Sequence, residues 1–315
     1  MKKSMINRTH IEGRVYDFTI AEKVTGEASK NPGTPYIGGT IDVATDEACL
    51  NIVTVNFTYV TETTAKGNKN ATYAVLKKII NDGKTILKDG KDEATKVKID
   101  SAIALNDFYT DRNGEETLVS VKRNNGGFVT IVSALDEDES KRNTFECDML
   151  INGVTHVEAD EERHIDKDYV IVKGAVFDFR NAILPTDFIV KLDGGMKYFE
   201  SLDASPQNLV FTKVWGSINS ETIVTRREEE SAFGEPSVKE YTRTVREWII
   251  TGTSKPDAVY EIGDEKNGIT LDEVKKLMAD REVYLADEKK RADDYKASKN
   301  ATAASAPAAA GGFNF

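Results

Sequence analysis

Apolar and polar positions alternate along most of this chain, and the alternation stops at a few identifiable points. Residues 8–24 alternate around Ile11, Gly13 and Val15, which predicts a first strand. Residues 23–35 (KVTGEASKNPGTP) are rich in Gly, Pro, Ser and Asn and predict a loop. A second strand is expected over 36–44, with Gly38-Gly39 at a bend, and a third over 50–60 (LNIVTVNFTYV). Over 70–81 the period changes to that of a helix. Tyr73, Leu76, Ile79 and Ile80 share a face, Asn70 suits the N-cap, and Gly83 lies just past the end. Strands over 96–109 and 118–132 follow, joined by the turn signal Asp111-Arg112-Asn113-Gly114.

The same order then recurs. Strands are expected near 144–157, 168–180 and 186–192, a short helix over 196–202, and strands near 209–221 and 238–252. The polar stretch 222–237 reads as a mobile loop. Residues 270–296 predict a helix with Leu271, Val274, Leu277 and Met278 on one face. Beyond 299 the Ala- and Gly-rich chain has little to bury, so a disordered tail ending in Phe313-Asn314-Phe315 is expected. Strand-strand-strand-helix-strand-strand is the connectivity of the OB-fold, a five-stranded barrel that binds oligonucleotides or oligosaccharides. The predicted fold class is therefore mainly β with short helices: two tandem OB-like barrels, a C-terminal helix and a tail. Expected boundaries are 1–135 and 144–256 for the modules, 136–143 for an acidic linker, 257–298 for a helical acidic segment and 299–315 for the tail. An echo between residues 11–18 (IEGRVYDF) and 172–179 (VKGAVFDF) marks either a duplication or convergent strand chemistry.

Composition narrows the function. With 39% hydrophobic and 30% charged residues in 315 positions, two soluble domains with real cores are possible. No apolar run is long enough for a membrane helix, and Lys2-Lys3 is not followed by a signal-peptide core. A soluble protein of the cytoplasm is expected. The net charge of −11 argues against strong duplex binding, but it is uneven. Residues 1–135 hold 18 Lys and Arg against 17 Asp and Glu, and the remainder holds 24 against 36. Cys49 and Cys147 have no partner at metal-ligand spacing and read as buried thiols. Gly83-Lys84-Thr85 lacks the earlier glycine of a phosphate loop, and His156, Asp160 and His164 fit no zinc pattern. No catalytic motif, metal site or cofactor site emerges, and a non-enzymatic protein is expected.

Sequence-tolerant binding of a single strand needs cations along the phosphates and aromatic faces for the bases. Strand parity offers candidates. In residues 50–60 the apolar parity assigns Phe57 and Tyr59 to the core. Arg14, Tyr16 and Phe18 share a mixed face on the first strand. Lys96, Lys98 and Phe108 lie opposite Ile99, Ile103 and Leu105, and Lys122 lies opposite Val121. In the second module Phe211, Lys213 and Trp215 share one face, and Arg246 and Trp248 another.

With these residues in view, the chain resembles the large single-stranded DNA-binding proteins of tailed phages, which are built from OB-folds. The resemblance rests on YIGGTIDVATDEACLNIVTVNFTYV, KVKIDSAIALNDFYT and LVSVKRNNGGFVTIV. It implies a viral protein that coats single-stranded DNA in replication or recombination. Its tail tip, Phe313 and Phe315, would dock replication or recombination proteins. The acidic residues that accompany such a tip lie well upstream here. The rival reading is a virion or adaptor component made of two β-barrels. An oligosaccharide-binding barrel would need fewer cations.

Overall fold

The computed structural model describes residues 5–305 except 28, 113, 161–162, 164, 230–236 and 255–267. The first half contains β1 (Asn7–Phe18), β2 (Ala21–Val24), β3 (Pro35–Ala44), β4 (Ile52–Thr61), α1 (Ala71–Asp82), the single turn α2 (Ile86–Asp89), β5 (Lys96–Arg112) and β6 (Glu115–Ile131). The second contains β7 (Asn143–Val157), β8 (Tyr169–Phe177), β9 (Ile183–Val190), α3 (Asp193–Ser201), β10 (Val210–Glu229), β11 (Ser237–Thr253) and α4 (Leu271–Ser305). The predicted order holds, with a break at Thr19-Ile20 that separates β2 from β1.

Hydrogen bonding joins each set of five strands in a circuit. β1 pairs with β3, β3 with β4, β4 with β6 in parallel, β6 with β5, and β5 with β1. In the same way β7 pairs with β8, β8 with β9, β9 with β11 in parallel, β11 with β10, and β10 with β7. Each circuit encloses apolar side chains: Ile11, Ile41, Val55, Leu76 and Ile99 in the first, Val172, Phe188, Val214 and Ile250 in the second. At the helix ends the expected chemistry is present. The Asn70 side chain accepts from the Thr72 N–H at 3.1 Å, and the Gly83 N–H donates to Ile79.

Two glycines explain the sequence echo. A Cβ on Gly13 of β1 would run into the carbonyl oxygen of Ala44 on β3, and one on Gly174 of β8 into that of Leu150 on β7. Both sit where the first and second strands of a circuit cross closely, but on opposite members of the pair. The shared need for a bare backbone at that crossing accounts for the repeated pattern without equivalent positions.

The two circuits are not separate beads. The free edge of β1 over Asn7–Ile11 pairs antiparallel with Cys147–Asn143 of β7, making one sheet of 11 strands. The segment read as a linker is packed: Arg142 is 5% exposed and its Nε donates to the Asp136 carbonyl at 2.7 Å. Asn51 reaches across to β10, accepting from the Ser220 N–H at 2.7 Å.

Helix α4 straps the two halves. Thr270 and Glu273 form a reciprocal capping box, with bonds of 3.2 and 3.0 Å. Ile269, Val274 and Leu277 pack on Leu150, Ile183 and Phe211 of the second circuit. Further along, Arg281 pairs with Asp107 of β5 at 2.6 Å, and Lys289 and Lys296 reach Glu116 of β6. The helix runs on to Ser305, into the segment expected to be a tail, while Phe313 and Phe315 lie outside the described residues. The expected loop at 222–237 also differs. β10 and β11 continue as a paired hairpin to Glu229↔Ser237, because a two-strand ladder satisfies its backbone without an apolar face. Only residues 230–236 of that stretch lie outside the described residues.

Candidate nucleic-acid interface

The sheet that joins the circuits presents one continuous outer face, ordered β6-β5-β1-β7-β10. Its rows follow from register. Phe128, Asp100, His10, Thr144 and Ser217 stand opposite one another in successive strands. The neighbouring row carries Arg8, Glu146 and Trp215. At about 4.8 Å per strand, the first row spans roughly 19 Å. These residues line a trough of about 1410 Å³, together with Phe179 from the turn between β8 and β9. Three aromatics flank it and all are exposed: Phe128 by 74%, Phe179 by 82% and Trp215 by 41%. Arg180 stacks on Phe179 at 5.0 Å.

Local structure puts each aromatic there. The register of β6 shifts between Asp100 and Ser101 of β5, where Gly127 is the extra residue. The bulge turns Phe128 outward while Val129 stays in the core. Trp215 sits at a second register shift, opposite Gly252 of β11. A Cβ at Gly252 would collide with the Trp215 ring, so the glycine makes room for it. Phe179 lies within the tight turn in which the Asp178 carboxylate accepts from the Arg180 and Ala182 N–H groups, at 2.8 and 2.7 Å.

The charges of this face are mixed. His10 Nδ1 lies 2.7 Å from Asp100, Lys98 lies 3.6 Å from Glu12, and Lys213 donates to Glu146 at 2.9 Å. Arg8 is exposed at the rim. Arg14 and Lys96 continue the same face two rows beyond His10 and Asp100. Arg14 is held by both oxygens of Glu47 at 3.0 Å, and Lys96 donates to the Ser133 carbonyl at 3.3 Å. Hydrogen bonds from Arg14 and Lys91 hold the Glu47 carboxyl down to about 2.

Of the residues singled out from the sequence, Arg14, Lys96, Lys98, Lys213 and Trp215 therefore come together on one surface. Others do not. Phe211 shares the Trp215 face of β10, but α4 covers that end, and Phe211 is fully buried against Phe177. Trp248 is 9% exposed, packed against Phe145 and Phe188 in the second core. Neither has a face free for a base. Lys122 is not on an open basic face either. The Gly127 bulge reverses parity in β6, so Lys122 pairs with Leu105 and points the way Ile103 does. Its Nζ donates to the Asp187 carbonyl and lies 4.2 Å from the Phe188 ring and 5.4 Å from Trp248. Burial pulls its ammonium down to about 8. Arg246 is exposed but stands opposite Ser220, away from the trough. Tyr16 is half-buried, Phe18 packs on the first core under Lys88, and Phe108 is 41% exposed on the β5–β6 hairpin. Phe57 is core as expected, whereas Tyr59 is 49% exposed and packs on Tyr36 at 4.9 Å. Cys147 is buried and its thiol is pushed up by that burial, while Cys49 is only half-buried. Arg8, His10, Phe128 and Phe179 were missed. The signal for Phe128 was the Gly126-Gly127 pair just before it, a bulge mark inside a strand.

Among the described residues no group of three or more His, Cys, Asp or Glu is placed to hold a metal, and no helix is long and apolar enough to cross a membrane. His156 instead lies 2.7 Å from Glu200, which raises its pKa.

The chain belongs to the YorF family, whose model matches residues 6–291. No curated protein matches it. Among solved structures it is similar to the wild-type single-stranded DNA binding protein from Thermus aquaticus, with 8% identity and a TM-score of 0.45, over 81% of this chain and 94% of that one. A deletion mutant of that Thermus aquaticus protein aligns with the same identity and score, over 80% of this chain and 95% of its own.

Proposed function

We propose that this protein binds single-stranded DNA, without catalysis, along the outer face of the sheet that joins its two circuits. The observation that carries this reading is the trough flanked by Phe128, Phe179 and Trp215. Large exposed aromatics cost hydration free energy unless a ligand covers them, and bases stack on such faces at about 1–3 kcal/mol each. A trough of about 1410 Å³ exceeds the roughly 300–1,000 Å³ of a small-molecule site, which favours a polymer. A duplex keeps its bases stacked and offers only phosphates, for which this mixed face is poorly charged.

In this reading each circuit is an OB-like barrel and the modules are those outlined by the sequence. The protein coats single strands during DNA replication or recombination, in the cytoplasm of a host cell if the chain is viral. Phe313 and Phe315 serve as a docking tip for other replication or recombination proteins. The test is fluorescence anisotropy of labelled oligo-thymidine, beside a duplex of equal length, over a salt series. Tight single-strand binding with little duplex binding is expected. Equal affinity for both, or none at low salt, would sink the reading.

A further inference from the structure

Past Phe179 the trough continues into a second cavity, of about 480 Å³, between β5, the β8–β9 turn and α4. Ala102, Asn125 and Phe179 line both, so the two are continuous. The floor is low, because the positions of β5 that alternate with the buried Ile103 are Ala102 and Ala104. Two rings flank the cavity, Phe179 and Tyr284 of α4, and both reach solvent, Tyr284 being 43% exposed. Arg281, fixed by Asp107 at 2.6 Å, lies 5.2 Å from the centre of the Tyr284 ring and backs it as Arg180 backs Phe179. Of the three carboxylates on the walls, Asp107 is held by Arg281 and Asp178 by the N–H groups of its own turn. The third, Asp280, is exposed and makes no hydrogen bond or ion pair among the described residues.

These walls select by charge. A phosphate is repelled by Asp280 and finds Arg281 already neutralised by Asp107. A cation meets Arg180 and Arg281 already seated on the two rings. What fits is a neutral, flat group that stacks and brings N–H donors to Asp280, since an ionised carboxylate only accepts. We propose that this cavity takes one base of the strand lying in the trough, stacked on Tyr284 with its donor edge on Asp280, and that it favours guanine. Guanine presents two adjacent donor groups, at N1 and N2, to the two carboxylate oxygens. Thymine has one N–H between two carbonyls that a carboxylate repels, and adenine and cytosine each have one amino group beside a ring-nitrogen acceptor. The volume lies within the roughly 300–1,000 Å³ of sites that hold one small molecule, so it admits one nucleoside and not a run of them. This assignment rests on the trough reading, because the trough delivers the strand.

The test uses the full chain with labelled oligo-thymidine, set beside oligomers of the same length that carry a single guanine at each position in turn. Anisotropy is expected to show a position at which guanine tightens binding about fivefold or more over thymine. Neither Asp280 nor Tyr284 lines the trough, so substituting them leaves the trough intact. Asp280→Asn is expected to abolish the guanine preference without lowering affinity for all-thymidine, a pattern that misfolding does not produce. Tyr284→Ala is expected to weaken the best guanine oligomer about fivefold or more. If no position prefers guanine, or if the preference survives Asp280→Asn, the proposal is overturned. Tight oligo-thymidine binding in that case keeps the trough reading and leaves the cavity to an aromatic side chain of a protein partner. If no oligomer binds at all, the trough reading falls and this one falls with it.

Discussion

Phe128, Phe179 and Trp215 stand on backbone that is fixed by a bulge, a tight turn and a facing glycine, so their rings are presented with little ordering left to do on binding. Replacing any one with Ala is expected to weaken oligo-thymidine binding by about 1–3 kcal/mol and to leave the melting temperature within a few degrees. Anisotropy and thermal melts on the same samples check both halves. A variant that melts early and binds normally would mark a packing role instead. Lys122 makes a prediction in pH. Its folded pKa, about 8, lies below the 10.5 of a free lysine, because burial disfavours the charge. The unfolded chain therefore holds the proton more tightly, and this group adds stability as pH rises from about 8 to 10.5. Thermal melts across that window should rise less steeply in Lys122→Met. Glu47 acts in the same sense in the acid range, where its folded pKa is also lowered. Its ion pairs stabilise the fold above the ordinary carboxylate range, and that contribution is lost as pH falls toward about 2.

At the scale of elements, α4 is the part whose role the sequence least foreshadowed. Its first turns complete a core that would otherwise expose Phe211, Leu150 and Ile183, and its middle is tied to β5 through Arg281 and Asp107. The side chains of that pair are 11% and 1% exposed. Removing one member of a buried pair strands the other's charge, so Arg281→Ala is expected to destabilise the protein by about 3–5 kcal/mol in urea unfolding. Pairing it with Asp107→Ala should recover part of that loss. Additive losses would show that the two side chains do not interact in solution. The amphipathic face of this helix was legible from Leu271, Val274, Leu277 and Met278, but what it covers was not. A helical period states that a face is buried, and it does not name the partner.

For the whole molecule, the decisive contact is the ladder between β1 and β7. It makes the trough a property of both halves, since Phe128 comes from one circuit and Trp215 and Phe179 from the other. A fragment ending at residue 135 would bare the β1 edge over Asn7–Ile11, and such edges pair with whatever strand they meet. Light scattering is expected to find that fragment self-associated, and a well-folded monomer would count against a structural role for the ladder. The net charge of −11 and the few cations on the face also limit the salt response. If Arg8, Lys96, Lys98 and Arg180 all meet phosphates, the slope of log affinity against log salt for a single strand is about −3.

The sequence by itself determined the elements and their order, because period, caps and turn residues act within a few positions of one another. Asn70 at the helix start, Gly83 at its end and Asp111 beside Gly114 in the hairpin were all readable for that reason. It also determined the cations of the joining face, since Lys96, Lys98 and Arg14 keep the parity of unbulged stretches. Only the tertiary structure decided which faces are open. One extra residue at Gly127 reversed Lys122 and turned Phe128 outward, α4 covered Phe211, and the second core took in Trp248. Parity counts along one strand, whereas bulges and covering elements are set by partners that lie tens of residues away in the sequence.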